Sequence, residues 1–410
     1  VGLGYIGLPT ALVAANNNLQ VFGYDVDEKK IQSIRMGKSP IIEPGIQELL
    51  TQASCDKTFC ASTELHPADY FIIAVPTPFN KDKSPDLSYV FDAVVKICEK
   101  LRPGNTIILE STVPVGTTQK LTQLIEKNTN LRASKDFFLA YCPERVLPGK
   151  IVYELVNNNR IIGGICQESA KKATGFYSHF VTGDCFLTSD KIAEMVKLVE
   201  NSSRDVQIAL ANQIAQMCNV AHIDPNEVIK LANKHPRVNL LQPGCGVGGH
   251  CIAVDPWFLI KHFPKQTLLL QAARKINDDR PYDIINSIVS QAKKFKKIEG
   301  RKPKVLTLGL TFKPDVDDLR QSPALFIAQE LNKLTDLLAL EVHDPFVPER
   351  IIKSYGLKNN KNLETIKIDI VQILVKHTVF QKIGENHETI VFKKGENREP
   401  RRTDSSPQTE

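Results

Sequence analysis

Val1-Gly-Leu-Gly-Tyr-Ile-Gly7, with Val21-Phe-Gly-Tyr-Asp25 close behind it, is the stretch that decides the fold. Its glycines match the Gly-x-Gly-x-x-Gly spacing of a dinucleotide-binding turn. Gly2 makes the turn, Gly4 lets a pyrophosphate approach the backbone, and Gly7 allows close helix–strand packing. A helix is predicted from about Leu8 to Asn17, with its N-terminus facing the phosphates, and a strand from Leu19 to Tyr24. Asp25 ends that strand with a carboxylate placed for a ribose diol, which favours NAD over NADP. Taken alone, the glycines could also form a tight structural turn. Val1 stands directly before Gly2, where such a strand normally begins several residues earlier. A short N-terminal piece of the first strand is therefore expected to be missing.

Further short apolar runs follow at Tyr70–Val75, Thr106–Glu110, Phe137–Tyr141 and Arg160–Gly163, with helical patterns such as Val90–Leu101 and Gln119–Lys127 between them. Strands alternating with helices argue for a parallel sheet covered on both faces. From about Ser189 to Lys234 the pattern is helical, and Asp190–Asn219 is longer than an ordinary globular helix. Such a helix joins domains or forms a dimer interface. A second α/β pattern comprises strands at Lys304–Leu310, Leu340–His343 and Asp369–Val375 and a helix at Ala324–Leu334. The fold expected is α/β: two Rossmann-like domains with parallel, doubly wound sheets, joined by a central helical region. The boundaries read as 1–185, 186–295 and 296–392, followed by a polar, disordered tail at 393–410.

The chain has 410 residues, too many for one ordinary core. It is 42% hydrophobic and 24% charged, as a soluble globular protein is. No apolar run approaches the ~18 residues that span a bilayer. Nine scattered cysteines, with no Cys-x-x-Cys, suit a reducing, cytoplasmic setting. The net charge of +6 is modest. Part of it lies in Lys293, Lys294, Lys296, Lys297, Arg301, Lys302 and Lys304, which read as a solvated linker rather than a nucleic-acid surface. Neither nucleic acid nor membrane is an expected partner.

The chemistry gathers at Gln242-Pro-Gly-Cys-Gly-Val-Gly-Gly-His-Cys-Ile-Ala-Val-Asp-Pro256. Glycines let this backbone take positive φ and approach a ligand. Cys251, presented behind them with Asp255 four residues on, is a candidate nucleophile toward a carbonyl carbon. With a nicotinamide cofactor, such a thiol implies oxidation through a covalent thioester. Cys245, His250 and Cys251 lack a fourth ligand nearby, so no metal is expected. Val75-Pro-Thr-Pro78 and Ser111-Thr-Val-Pro-Val115 follow predicted strands, at the sheet edge where open α/β folds bind ligands. Cys142-Pro-Glu-Arg145 also follows a strand; Glu144 is placed to activate water and Arg145 to bind an anionic or sugar group, or the two form surface ion pairs. Lys197, Asn201 and Arg204, at i, i+4 and i+7, lie on one helical face, which suits either an oxyanion and polar substrate or solvent. His235-Pro-Arg237 lies just ahead of the cysteine loop and suits substrate contact.

Three longer strings extend the reading: Ala140-Tyr-Cys-Pro-Glu-Arg-Val-Leu-Pro-Gly149, Leu231-Ala-Asn-Lys-His-Pro-Arg-Val-Asn239 and Gly246-Val-Gly-Gly-His-Cys-Ile-Ala-Val-Asp-Pro-Trp-Phe258. On these the chain resembles the UDP-glucose/GDP-mannose dehydrogenase family, apart from its start and its tail. Gly309-Leu-Thr-Phe-Lys-Pro-Asp-Val-Asp-Asp-Leu-Arg-Gln-Ser322 is similar to the family's linking motif. The resemblance implies NAD on the N-terminal domain, UDP largely on the C-terminal one, and a homodimer or larger assembly. It implies a four-electron oxidation of a sugar C6 alcohol to the acid, through a thiohemiacetal and a thioester on Cys251. Lys197 and Asn201 would steady the oxyanion, Asp255 would assist the thiol, Thr112 would order water, and Glu144 would be the base for hydrolysis.

The cofactor residues implied are Gly2, Gly4, Tyr5, Ile6, Gly7, Asp25, Lys30, Thr77, Thr112 and Arg320. Those implied for substrate are Arg145, Val146, Lys197, Asn201, Arg204, His235, Arg237, Gly248 and Lys313. Arg145, with Pro148 three residues on, points to the UDP-N-acetylhexosamine branch and away from glucose. The manno configuration is the first expectation and gluco the second; a binding homologue without catalysis is the alternative of another class. Cys245, where Pro is usual, and Lys376, where Asp is common, depart from the family pattern.

Overall fold

The computed structural model describes residues 1–249, 251–361, 368–383 and 389–391. The tail expected at 393–410 lies outside them. The chain divides into two compact units, residues 1–204 with 251–271, and residues 205–250 with 272–410. The stretch read as a central region, 186–295, is thus shared between the units.

In the first unit the glycine turn leads into α1 (Gly7–Ala15), β1 (Val21–Tyr24), α2 (Glu28–Arg35), α3 (Ile46–Cys55) and β2 (Phe59–Ser62). Next come β3 (Tyr70–Ile73), α4 (Ser88–Cys98), β4 (Thr106–Leu109), α5 (Thr117–Asn128) and β5 (Phe138–Tyr141). The series ends with α6 (Ile151–Asn157), β6 (Arg160–Gly164), α7 (Gln167–Tyr177) and β7 (Cys185–Ser189). Strands β1 and β2 pair in parallel, and the others form a sheet in the order β3-β4-β5-β6-β7. The opening residues join the two. The Gly2 N–H donates to the Tyr24 carbonyl, and the Ala74 N–H, just past β3, donates to the Val1 carbonyl. β4 and β5 are buried along their whole length, as strands covered on both faces must be. Ile73, Val94, Ile107, Leu121 and Leu139 fill one side, and Val13, Ile108, Ala140, Ile162 and Ala173 the other.

The sheet departs from the all-parallel expectation at one place: β5 and β6 are antiparallel, with Ala140 opposite Gly164 and Tyr141 opposite Gly163. The connection between them is a loop and the seven-residue α6. The chain does not return to the far end of the sheet before β6, as a parallel crossover requires.

The helical stretch comprises α8 (Asp190–Ala221), α9 (Pro225–Ala232), α10 (Asp255–His262) and α11 (Leu268–Glu299). α8 runs 32 residues, starting where expected and ending two residues beyond Asn219. The basic residues 293–297 correct their reading as a linker: they belong to the last turns of α11. Ile288 and Ala292, four apart on that helix, are buried in an apolar core with Ala324 and Ile327, so this segment is held as helix by packing.

In the second unit β8 (Lys304–Leu308), α12 (Pro323–Asn332), β9 (Ala339–His343), α13 (Glu349–Ser354), β10 (Ile370–Ile373) and β11 (Thr389–Val391) form a sheet in the order β11-β10-β8-β9. β11 is antiparallel to β10. α12 begins where Ser322 caps the Leu325 amide and Pro323 sets the first turn.

Also in this unit, Arg274 and Asp205 form an ion pair at 2.7 Å, 2% and 0% exposed, and Asn277 donates to the same carboxylate. Replacing Asp205 by Ala strands most of a buried guanidinium. A loss of about 3 kcal/mol is expected, measured as a lower urea midpoint at unchanged slope.

Candidate active site

The glycine turn has the shape of a nucleotide cradle. Gly2 sits at φ 87°. A Cβ at Gly7 would lie 1.8 Å from the Gly2 carbonyl oxygen, whereas one at Gly4 would meet nothing within 4 Å. Thus Gly7 is fixed by packing and Gly4 faces open space. Ile6, at the cap of α1, offers no side-chain cap to the helix amides, which leaves that N-terminus available to an anion. Tyr5 is exposed beside it. Asp25 follows β1, and its carboxylate accepts from the Leu3 amide at 2.8 Å and from Lys30 Nζ at 2.7 Å. Burial works against its ionisation, but the bonds from Lys30 and from the Asp27 and Leu3 amides outweigh it and hold the pKa below the usual value. These residues fit a dinucleotide.

Past β3 and β4 lie the stretches that carry Thr77 and Thr112, both half-buried. The Ser111 hydroxyl donates to the Val75 carbonyl at 2.7 Å and ties the two together. Past β5, Cys142 is fully buried, and burial pushes its thiol up to about 12. Glu144 serves two elements at once. Its carboxylate accepts from Arg160 Nη1 at 2.8 Å and from the Arg145 amide at 2.7 Å. Its backbone carbonyl accepts from Lys197 Nζ at 2.7 Å. Arg145 pairs with Glu200 of α8 at 3.2 Å, and Val146 packs against a core of the same unit.

Cys251 is exposed, on the turn that opens α10. Its carbonyl accepts from the Val254 and Asp255 amides. Asp255 is 3% exposed, and Asn201 Nδ2 donates to its Oδ2 at 2.6 Å. Burial raises the Asp255 carboxyl to about 6 although Lys197 and Asn201 pull it down. The structure therefore brings Lys197, Asn201, Asp255, Cys251 and Glu144 together within one unit. Arg204 is exposed while Lys197 is buried, so the expected triad on α8 divides: burial of this face covers Lys197, partly covers Asn201 and ends before Arg204.

In the second unit the glycine loop lies on the 309–322 segment. A Cβ at Gly248 would come within 2.8 Å of Phe312 Cβ and Pro323 Cδ, and the Gly249 amide donates to the Arg320 carbonyl. Lys313 is half-buried on this segment. Arg320 makes a close ion pair with Asp318. The segment is anchored from below by Asp344, whose Oδ2 accepts from the Leu310 amide at 2.6 Å. His377 Nδ1 accepts from the Asp315 amide, so Nε2 carries the proton toward Asp344, 3.1 Å away. Cys245 packs against the apolar core of this unit. His235 and Arg237 lie exposed after α9. Arg320, expected at the cofactor, belongs to this unit and not to the one that holds the glycine turn.

Sequence reasoning passed over Arg160 and Glu194. Arg160 reads as an ordinary strand residue. Glu194 carried one signal, its i−3 and i−7 spacing from Lys197 and Asn201.

A dinucleotide turn and an exposed cysteine beside a buried lysine, amide and carboxylate define an NAD-dependent oxidoreductase. The chain belongs to the UDP-glucose/GDP-mannose dehydrogenase family: its NAD binding domain matches residues 1–181, its central domain 191–279 and its UDP binding domain 306–395. It is 44% identical to a UDP-N-acetyl-D-mannosamine dehydrogenase of Campylobacter jejuni, over 93% of this chain and 96% of that one. It is 41% identical to an NDP-N-acetyl-D-galactosaminuronic acid dehydrogenase of Ralstonia solanacearum, over 93% and 91%. The solved structure of a UDP-D-ManNAc dehydrogenase from Pyrococcus horikoshii aligns with TM-score 0.84 at 38% identity, covering 93% of this chain and 89% of that one.

Because the folded pKa of Asp255 lies above its unfolded one, folding favours the protonated form. That contribution is complete below about pH 4 and is lost as pH rises through about 6, a change of up to about 3 kcal/mol. Replacing Asp255 by Asn is expected to remove the decline. The variant should be more stable than wild type above pH 7 and gain nothing near pH 4. Urea unfolding at both pH values checks this; an equal difference at the two would count against a costly buried charge.

Proposed function

We propose that this chain oxidises the C6 hydroxyl of UDP-N-acetyl-D-mannosamine to the uronate, taking four electrons in two steps. NAD, when bound, supplies the hydride acceptor for both steps. The observation that carries the reading is the pair of bonds from α8, Lys197 to the Glu144 carbonyl and Asn201 to Asp255, made beside Cys251.

The roles proposed rest on the placement of these residues together with the family resemblance. Lys197, buried and held by a neutral carbonyl, places positive charge where an alkoxide or tetrahedral oxyanion develops, and Asn201 adds a donor. Once C6 is an aldehyde, the Cys251 sulfur bonds to it, and the thiol proton passes to the aldehyde oxygen by way of Lys197 or Asp255. Loss of the second hydride from C6, with the hydroxyl proton passing back to Lys197 or Asp255, leaves a thioester. Water adds to the thioester carbon, the C–S bond breaks, and the thiol regains its proton. Thr112 orders that water, and Glu144 is the candidate base. Asp255, with its pKa near neutrality, suits proton exchange at working pH. Gly2, Gly4, Tyr5, Ile6, Gly7, Asp25, Lys30, Thr77 and Arg320 are assigned to the cofactor. Arg145, Val146, Arg204, His235, Arg237, Gly248 and Lys313 are assigned to the nucleotide sugar.

Arg145 with Pro148 supports an N-acetylhexosamine over glucose, and the mannosamine relatives support the manno configuration. The Ralstonia relative supports the galacto epimer, and the gluco epimer is the remaining alternative. The scattered cysteines suit a cytoplasmic setting; among the described residues no helix is long and apolar enough to cross a membrane. A homo-oligomer is proposed on α8, where Ile192 and Val199, and again Leu210 and Met217, are exposed seven residues apart.

NADH formation with each UDP-sugar tests the proposal. Two NADH per UDP-N-acetylmannosamine, with little from the other epimers or from UDP-glucose, is the expected result. Replacing Cys251 by Ser should end acid formation; full turnover by that variant would sink the thioester route.

A further inference from the structure

We infer that Glu194 is a positioning residue for the oxidation, because it fixes the loop that carries Thr112 to the helix that carries Lys197 and Asn201. The inference rests on the roles proposed above for those three residues.

Helix α5 begins at a glycine: Gly116 is its N-cap, at φ 86°, and offers no side chain to the amides of the first turn. Those donors still need partners away from water. Glu194, 0% exposed and reaching in from α8, supplies them. Its Oε2 accepts from the Gly116 amide at 2.5 Å. Its Oε1 accepts from both the Thr118 amide and the Thr118 hydroxyl at 2.7 Å. One carboxylate therefore takes three donors at a helix start, where a negative charge is favoured. Burial raises the Glu194 carboxyl, and the bonds from Thr118 and Gly116 oppose that. Asp190, one turn before it on α8, is also buried, and its charge adds to the upward push.

Glu194 precedes Lys197 by three residues and Asn201 by seven, so all three share a face of α8. The loop it holds is the one between β4 and α5, and Thr112 lies on it. The other end of that loop is tied by the Ser111 hydroxyl to the Val75 carbonyl. With both ends fixed, the distance from Thr112 to Lys197 is set by Glu194. A shift of the order of 1 Å at such a place costs about a hundredfold in rate.

The test is Glu194→Gln. The amide keeps an acceptor for Thr118 but turns N–H toward N–H at Gly116. Hydrogen exchange should accelerate in the peptide 111–120 and not in the strands. In steady state, kcat should fall by about 100-fold, with KM for NAD and for the UDP-sugar within about twofold of wild type. Thr118→Val, a second variant, removes one donor and should show a smaller loss of the same kind. Unchanged kcat, or a kcat loss accompanied by faster exchange throughout the unit, overturns the inference. If wild type reduces NAD with no UDP-sugar, the functional reading fails. The exchange experiment then still decides whether Glu194 holds the loop, and unchanged exchange at 111–120 overturns that.

Discussion

Helix α8 carries two ionisable side chains, Glu194 and Lys197, and the amide of Asn201 into the interior of the first unit, and each is met there by a fixed partner. An unpaired buried ion costs several kcal/mol, so the partners are obligatory. Glu194 is met by the first turn of α5, Lys197 by the Glu144 carbonyl, and Asn201 by the Asp255 carboxylate. These partners belong to three segments far apart in sequence: the loop after β4, the loop after β5 and the turn that opens α10. The need to satisfy α8 thus fixes where those segments lie. The site is a consequence of burying a polar helix face, and the apolar residues of α8 complete the packing. Leu198, for instance, lies in a small core with Val254, Phe258 and Leu259.

The two sheets treat the same topological position differently. In each, a carboxylate just past the end of a strand accepts amides from the turn after a neighbouring one: Asp25 takes the Leu3 amide, and Asp344 takes those of Leu310 and Thr311. Asp25 has the Asp27 amide and the half-buried Lys30 as its remaining partners. Asp344 is closed over by the fully buried His377. The second carboxylate works as a brace for the 309–322 segment, and that segment in turn supports the glycine loop.

Much of this was legible in the sequence, for definite reasons. The Gly2, Gly4 and Gly7 spacing is dictated by backbone contacts that admit no Cβ or need open space, so it survives as a pattern. Cys251 follows a glycine-rich loop that has no use in a core, and Asp255 comes four residues later at the start of α10. The inward turn of Lys197 and Asn201 was visible as helical spacing, yet Arg204, within about 60° of them on the same face, is exposed, because helical spacing gives the direction of a side chain but not how far along the helix the burial extends. Arg160 and Glu194 escaped notice since their importance comes from partners 16 and about 78 residues away, and no local pattern encodes that. The reversal at β6 was hidden for a related reason: strand direction is a property of the connection, not of the strand.

That reversal has a further consequence. Continuing the register in which 140 faces 164 and 141 faces 163 sets position 144 opposite position 160. An arginine at the very start of a strand is thereby delivered to the edge where neighbouring strands finish, which a parallel strand does not do. The Glu144–Arg160 pair clamps both ends of the intervening segment to the sheet. Residues 145–159 then form a closed excursion whose ends meet at that pair, and which is held further by Arg160 Nη2 donating to the Leu155 carbonyl and by Glu43 accepting from the Gly149 and Ile151 amides. Substitutions at its exposed positions, such as Leu147 and Tyr153, leave the carbonyl that holds Lys197 in place. The antiparallel strand thereby uncouples the surface of that excursion from the carbonyl on which α8 depends.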